Sequence, residues 1–190
     1  MSPMPTDAIL VVLYEGVSGA EALGAHAALK ASDLPVELVA PEALVRTIEG
    51  PRVVPDRLGY DAIATAPAVV LPHGDVRKPL ADASLARALR ARRGHATLAS
   101  GDAARLLHAA SLTEGRKIAR APGDPPIAGA TGVHAPLVAD ARLLTCFPGD
   151  ALVDLVLHFV GHEHGDDTAR RAAQRLGREY RPFAYGQQRP

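Results

Sequence analysis

The stretch HATLASGDAARLLHAASLTE, residues 95–114, decides how the rest of the chain is read. Ala96–Ala99 is a short apolar run with the length of a strand. Ser100-Gly101-Asp102 makes a tight turn of small residues. Ala103–Ala110 then has helical composition, with Leu106 and Leu107 as its large apolar residues. Strand, sharp turn and helix is the geometry of a nucleophile elbow, which sets one side chain among the free N–H groups of a helix N-terminus. The elbow position here is Gly101, which has no side chain. The sequence thus predicts a site built around a missing nucleophile.

Upstream of the elbow, Ala68–Leu71 reads as a buried strand that stops at Pro72-His73-Gly74, and Asp82–Arg92 as a helix with a basic C-terminus. Further back, AILVVL at Ala8–Leu13 is long enough for a buried strand and too short for a helix, which suits a central parallel strand. Tyr14-Glu15-Gly16 closes it, and Gly19–Lys30 reads as a helix with Glu21 near its start. Val36–Val39 is another strand. Leu44–Arg46 and Val53-Val54 suit small strands or a hairpin, and Asp56–Pro67 reads as irregular.

Downstream, Lys117–Ala119 suits a short strand, and the Pro- and Gly-rich Ala121–Thr131 a loop. Leu137-Val138 and Arg142–Thr145 are either the arms of an excursion or the run into a last strand. Asp150–His164 has apolar residues on more than one stripe, so it is expected as a well-buried helix. A last helix follows over about Asp166–Arg178, capped by Asp166 or Asp167, and Arg181–Pro190 reads as an extended tail. No repeat or linker breaks the chain, so 1–190 is expected as a single domain. Alternating buried strands and helices predict a three-layer α/β sandwich with a mostly parallel sheet. Ligands bind such sheets beyond the carboxyl ends of the strands. Those ends are Tyr14–Glu21, Pro72–Gly74, Ser100–Asp102 and Cys146–Gly149.

Composition narrows the class. The 190 residues are 47% apolar but only 4% aromatic, with no Trp, so the core is built mostly from Ala, Leu and Val. Twenty-one basic residues balance 21 acidic ones, which gives no overall field for nucleic acid or a membrane surface. A single cysteine, Cys146, excludes an intrachain disulfide and the paired cysteines of a structural zinc site. No run approaches the roughly 18 apolar residues of a membrane span. MSPMPTD lacks a basic region followed by an apolar run, so no signal peptide is expected and the expected location is the cytoplasm.

The order of these segments resembles the DJ-1/PfpI superfamily, within the flavodoxin-like, class I glutamine-amidotransferase-like folds, and its isocyanide-hydratase-like branch in particular. The resemblance spans roughly residues 8–180. GVSGAEALGA at 16–25 is similar to the family's acid-bearing turn and places the acid at Glu21. Pro72-His73-Gly74 matches a strand end that is usually Pro-Gly-Gly, with His in place of the first Gly. GDAARLLHAASLTEG at 101–115 aligns with the elbow motif and puts Gly101 at the cysteine position. TCFPGDALVD at 145–154 is similar to the motif that leads into the long helix. The family's later histidine falls near Ala121 and is missing too. The resemblance implies a homodimer, no cofactor and a small-molecule substrate, with thiol chemistry lost.

Glu21 is the leading catalytic candidate. A carboxylate at a strand end among small apolar residues is partly desolvated, a setting that suits general acid/base work. The alternative is an ordinary first-turn Glu favoured by the helix dipole. Loss of a side chain at Gly101 is expected to open space at the pocket floor, and the N–H groups of Gly74, Gly101 and Asp102 suit an oxyanion nest. Asp102 is either a second carboxylate for proton transfer or a helix cap. His73, beside the expected pocket, suits a proton relay, or is a loop histidine. His134 suits a residue that closes over the site, and Tyr14 one that supplies a hydroxyl. Cys146 either lines the pocket or is a passive buried residue. His158, His162 and His164 cluster near one helix end, a pattern that suits a solvated terminus better than a metal site. Together these features predict a cofactor-independent lyase, hydratase, isomerase or cyclase of specialised metabolism, or else a non-catalytic binding protein.

Overall fold

Short apolar runs build the sheet, and small residues let helices lie close on it. The computed structural model describes residues 7–182. In chain order it contains β1 (Ile9–Val12), α1 (Gly19–Ala31), β2 (Val36–Ala40), β3 (Val45–Arg46), β4 (Arg52–Val53), β5 (Arg57–Leu58) and β6 (Ala68–Leu71). There follow α2 (Ala83–Arg90), β7 (Ala96–Ser100), α3 (Ala104–Ala109), β8 (Lys117–Ala119) and β9 (Thr131–Val133). Last among the described residues come β10 (Leu137–Asp140), β11 (Leu143–Cys146), α4 (Ala151–His164) and α5 (Asp166–Arg175).

Seven strands form one sheet in the order β10-β11-β7-β6-β1-β2-β5. Every pair is parallel except the edge pair β10–β11. β1, β6, β7 and β11 are buried along their whole length, as strands covered on both faces must be. α1, α4 and α5 pack on one another, and α2 packs on α3. The result is the expected three-layer α/β sandwich. Among the described residues no helix is long and apolar enough to cross a membrane.

Several local expectations need correction. The segment 56–67 is not simply irregular: β5 adds a parallel edge strand to β2, and Asp61–Ala64 makes a 3-10 turn. β5 is held by polar contacts that hydropathy does not register. The Asp56 carboxylate accepts from the Leu38 N–H at 2.8 Å, and Arg57 pairs with Glu37 at 2.6 Å. The elbow helix starts with a 3-10 turn at Gly101–Ala103, so α3 itself is only six residues long. The expected capping bond from Asp102 is not made. Nor does Asp166 or Asp167 cap α5; Gly165 is the cap residue, and Asp166 instead accepts from the Tyr180 hydroxyl at 2.7 Å. α5 ends at Arg175, and Gly177 follows with φ +65°. Leu137-Val138 and Arg142–Thr145 are both excursion and last strand, an antiparallel hairpin whose inner arm joins β7. Of the expected tail at 181–190, positions 183–190 lie outside the described residues.

Candidate active site

Parallel strands deliver their carboxyl ends to one side, and Glu21 ties those ends together. It sits in the first turn of α1, whose N-cap Ser18 accepts from the Glu21 N–H at 3.3 Å. The residue is 5% exposed. Its Oε2 accepts from the backbone N–H of His73, just past β6, at 2.7 Å. Its Oε1 accepts from the Ser100 hydroxyl at the end of β7, at 3.1 Å, and from the Gly149 N–H beyond β11. One buried carboxylate therefore fixes three strand exits to α1. All three partners are donors, so both oxygens face protein groups.

The elbow differs from the open floor that the sequence predicts. Gly101 has φ +49°, and a Cβ placed there would lie 2.6 Å from His73 Nδ1. The imidazole of His73 thus occupies the volume into which an elbow side chain would project. Its Nδ1 accepts from the Asp102 N–H at 3.2 Å, which assigns the ring hydrogen to Nε2. The same bond engages an amide that the sequence offered to an oxyanion nest. Gly74 is also occupied in packing. A Cβ there would overlap the Gly16 carbonyl, and it would lie 2.7 Å from Val17 Cα. Only glycine allows that approach.

Beside Gly101 and Asp102 lies a cavity of about 30 Å³, room for a water or two. Its far wall comes from β8, with Ile118, and from the loop after it, with Arg120, Pro125 and Ile127. Asp102 is exposed at its mouth. Arg120 is notable because its Nε is buried without a hydrogen-bond partner among the described residues. Buried polar atoms are normally paired, and an orphan needs a reason. His134 holds this arginine from behind. Its Nδ1 lies 3.0 Å from the Arg120 carbonyl and its Nε2 3.3 Å from Arg120 Nη2. Arginine only donates, so Nε2 accepts and Nδ1 carries the hydrogen.

Tyr14 and Cys146 are buried, and among the described residues the helix-end histidines make no metal cluster. Tyr14 donates its hydroxyl to the Pro72 carbonyl at 2.5 Å. Burial first, then the charges of Glu21 and Asp102, push that phenol well up. Cys146 is buried beside Ser100 in the β11–β7 register. Burial, the largest influence, pushes its thiol up, with Glu21 adding to the effect. That is the opposite of an activated cysteine. His158 is buried on α4, His162 lies 3.6 Å from Glu163 Oε1, and His164 meets Phe159 edge to face. Among the described residues no three His, Cys, Asp or Glu side chains converge as a metal ion requires. Structure thus brings Glu21, His73, Gly101 and Asp102 together and sets His134 one residue behind them. Sequence reasoning missed Ser100 and Arg120. Ser100 carries a signal, a hydroxyl at the last strand position before the elbow. Arg120 carries none, since its burial arises only in three dimensions.

Solved structures superpose closely on this chain. Drosophila melanogaster DJ-1beta gives a TM-score of 0.83 over 92% of this chain and 100% of that one, at 20% identity. A THiJ/PfpI family protein from Pseudomonas syringae gives 0.82 over 97% of this chain and 80% of that one, at 21% identity. A cysteine-to-alanine mutant of a DJ-1 superfamily protein from Salmonella typhimurium gives 0.77 over 92% and 100%, at 24% identity. No family model matches the sequence, and no curated protein matches it. At such identities the likeness speaks to architecture alone, and on that ground the chain has the fold of the DJ-1/ThiJ/PfpI superfamily.

Proposed function

We propose that the chain is a cofactor-independent acid/base enzyme of the DJ-1/PfpI superfamily, in its isocyanide-hydratase-like branch, with Gly101 where the nucleophilic cysteine stands. It acts as a lyase, hydratase, isomerase or cyclase on a small, largely apolar metabolite, with no covalent thiol intermediate. The observation that carries this reading is the His73 ring in the elbow volume, its Nδ1 engaged by the Asp102 amide. In this reading His73 Nε2–H gives a proton to the substrate, and the Asp102 carboxylate takes one from it. Arg120 holds the oxygen on which negative charge develops. Glu21 is a positioning residue, because its oxygens are spent on the three strand exits. The loop over 121–130 must lift to admit a metabolite, since the closed cavity is only about 30 Å³. The protein works as one cytoplasmic domain, paired as a homodimer.

The test is proton exchange in D2O, followed by proton NMR on a panel of small ketones, 2-oxo acids and enolisable aldehydes. The wild-type protein should wash out the acidic C–H of at least one compound. His73→Asn and Asp102→Asn should each slow that exchange about a hundredfold, the usual scale of a general acid or base. Cys146→Ser should leave it unchanged. Exchange at the wild-type rate in His73→Asn removes the proposal. The small volume of the closed cavity counts against turnover there and favours a second reading, a non-catalytic protein that binds a small molecule or a partner. Saturable binding of a panel compound with no exchange of any of them would establish it.

A further inference from the structure

The larger cavity lies at the opposite end of the sheet from Glu21. It measures about 410 Å³, within the range of small-molecule sites. It opens where β7 and β11 begin, at the point where the Thr97 N–H donates to the Arg142 carbonyl at 2.9 Å. Four arginines line it against a single glutamate, in a chain whose charges otherwise balance.

The deepest of these is Arg92, 1% exposed. Its guanidinium donates to the carbonyls of Ile63, Ala66 and Ala96 and to the Thr97 hydroxyl. Every one of those acceptors is neutral. Buried cations are normally paired with a carboxylate, and among the described residues Arg92 has none, so a full positive charge stands in the wall of the cavity. Burial lowers its pKa only to about 10, so the charge persists at neutral pH. Nearer the mouth, Arg93 is exposed, and Arg116 reaches Asp140 only at 3.4 Å with its side chain about half exposed. Arg142 is shared with Glu163 at 2.7 Å. The lone carboxylate of the lining, Glu114, lies against Gly129. Leu112 and Leu143 supply an apolar wall.

We propose that this cavity is a binding site for a small organic phosphate. Four arginines in one lining, with Arg93 exposed and Arg116 only loosely paired, suit a phosphate, which accepts from planar donors in pairs. A bare phosphate ion leaves most of the volume empty, so the ligand has an organic body that rests on Leu112 and Leu143. This site is separate from the one proposed above and does not depend on it.

Calorimetric titration of the full chain with AMP, ribose 5-phosphate and inorganic phosphate tests the proposal. At least one organic phosphate should bind, and more tightly than inorganic phosphate. Arg93→Ala combined with Arg116→Ala should weaken it about tenfold or more, the scale of a lost charge-assisted bond. Both side chains are substantially exposed, so the double variant should keep the wild-type urea midpoint. Arg120→Ala, at the other end of the sheet, should bind as wild type. Backbone amide NMR shifts should centre on residues 95–97 and 142–143. The proposal fails if neither organic phosphate binds, or if inorganic phosphate binds equally well. It also fails if the double variant binds unchanged, or if Arg120→Ala abolishes binding.

Discussion

At the scale of single residues, His73 and Gly101 form one feature. Along the sequence they stand 28 positions apart, His73 after β6 and Gly101 after β7. In space the imidazole of the first occupies the volume into which a side chain at the second would project. Gly101→Ala should therefore destabilise the protein by about 2 kcal/mol or more, from a positive φ and from displacement of the ring. In a His73→Gly background the same substitution should cost only about 1 kcal/mol, the backbone part alone. Urea denaturation of the four-variant cycle measures the coupling. Equal costs in both backgrounds would show that His73 does not fill the elbow. The pairing was not legible beforehand because no periodicity links a loop residue after one strand to a turn residue after the next. Arg120 was equally hidden, since an arginine at the start of a loop reads as solvated.

At the scale of elements, the strands were readable and the ties between them were not. Continuous apolar runs of four or five residues identify β1, β6 and β7, because hydropathy reports burial directly. β5 escaped because Asp56 and the Arg57–Glu37 pair hold it, and polar pins leave no apolar pattern. Glu21 was legible as a residue at a strand exit but not as a clamp across three of them. Glu21→Gln keeps the shape but turns an NH2 group toward N–H and O–H donors. It should cost about 2–3 kcal/mol, the price of an unmade buried bond, measured as a fall in urea midpoint. A variant as stable as wild type would mean that the three bonds do not hold the loops.

Glu49 makes a parallel tie from the β3–β4 hairpin to α1. It accepts from the Gly19 N–H and the Ser18 hydroxyl, both at 2.8 Å. Desolvation opposes ionisation there, but the Gly19 and Ser18 bonds outweigh it and hold the carboxyl at about 2 against an ordinary 4.5. A lowered folded value means that the stabilisation is complete above pH 4.5 and is lost as pH falls toward 2. Glu49 is exposed, so screening keeps the effect below about 1 kcal/mol. Glu49→Gln should flatten that part of the stability–pH curve, and an unchanged slope would remove the tie.

At the scale of the whole molecule, the same hairpin carries exposed apolar side chains. Leu44, Ile48 and Val54 lie on or beside it, Leu23 lies on α1, and Leu58 lies on the edge strand β5; all five are exposed. Single exposed apolar side chains need no explanation, but three on and beside one short hairpin do. The hairpin is not loosely hung. Val17 bridges both Thr47 and Gly74, and the Ile48 N–H donates to the Val17 carbonyl at 2.9 Å. The hairpin is therefore held in register with the candidate active site, through the loop that carries Ser18 and leads to Glu21. A second copy of the chain placed over the hairpin would bury these side chains, and the homodimer proposed above can be tested there. Light scattering on a size-exclusion column at micromolar concentration should give twice the 19.9 kDa chain mass. Ile48→Asp should return the single-chain mass with little change in the far-UV spectrum, because Ile48 is 57% exposed and supports little of the core. A wild-type protein that runs as a monomer would remove the pairing. A dimer that survives both Ile48→Asp and Val54→Asp would move it to another face.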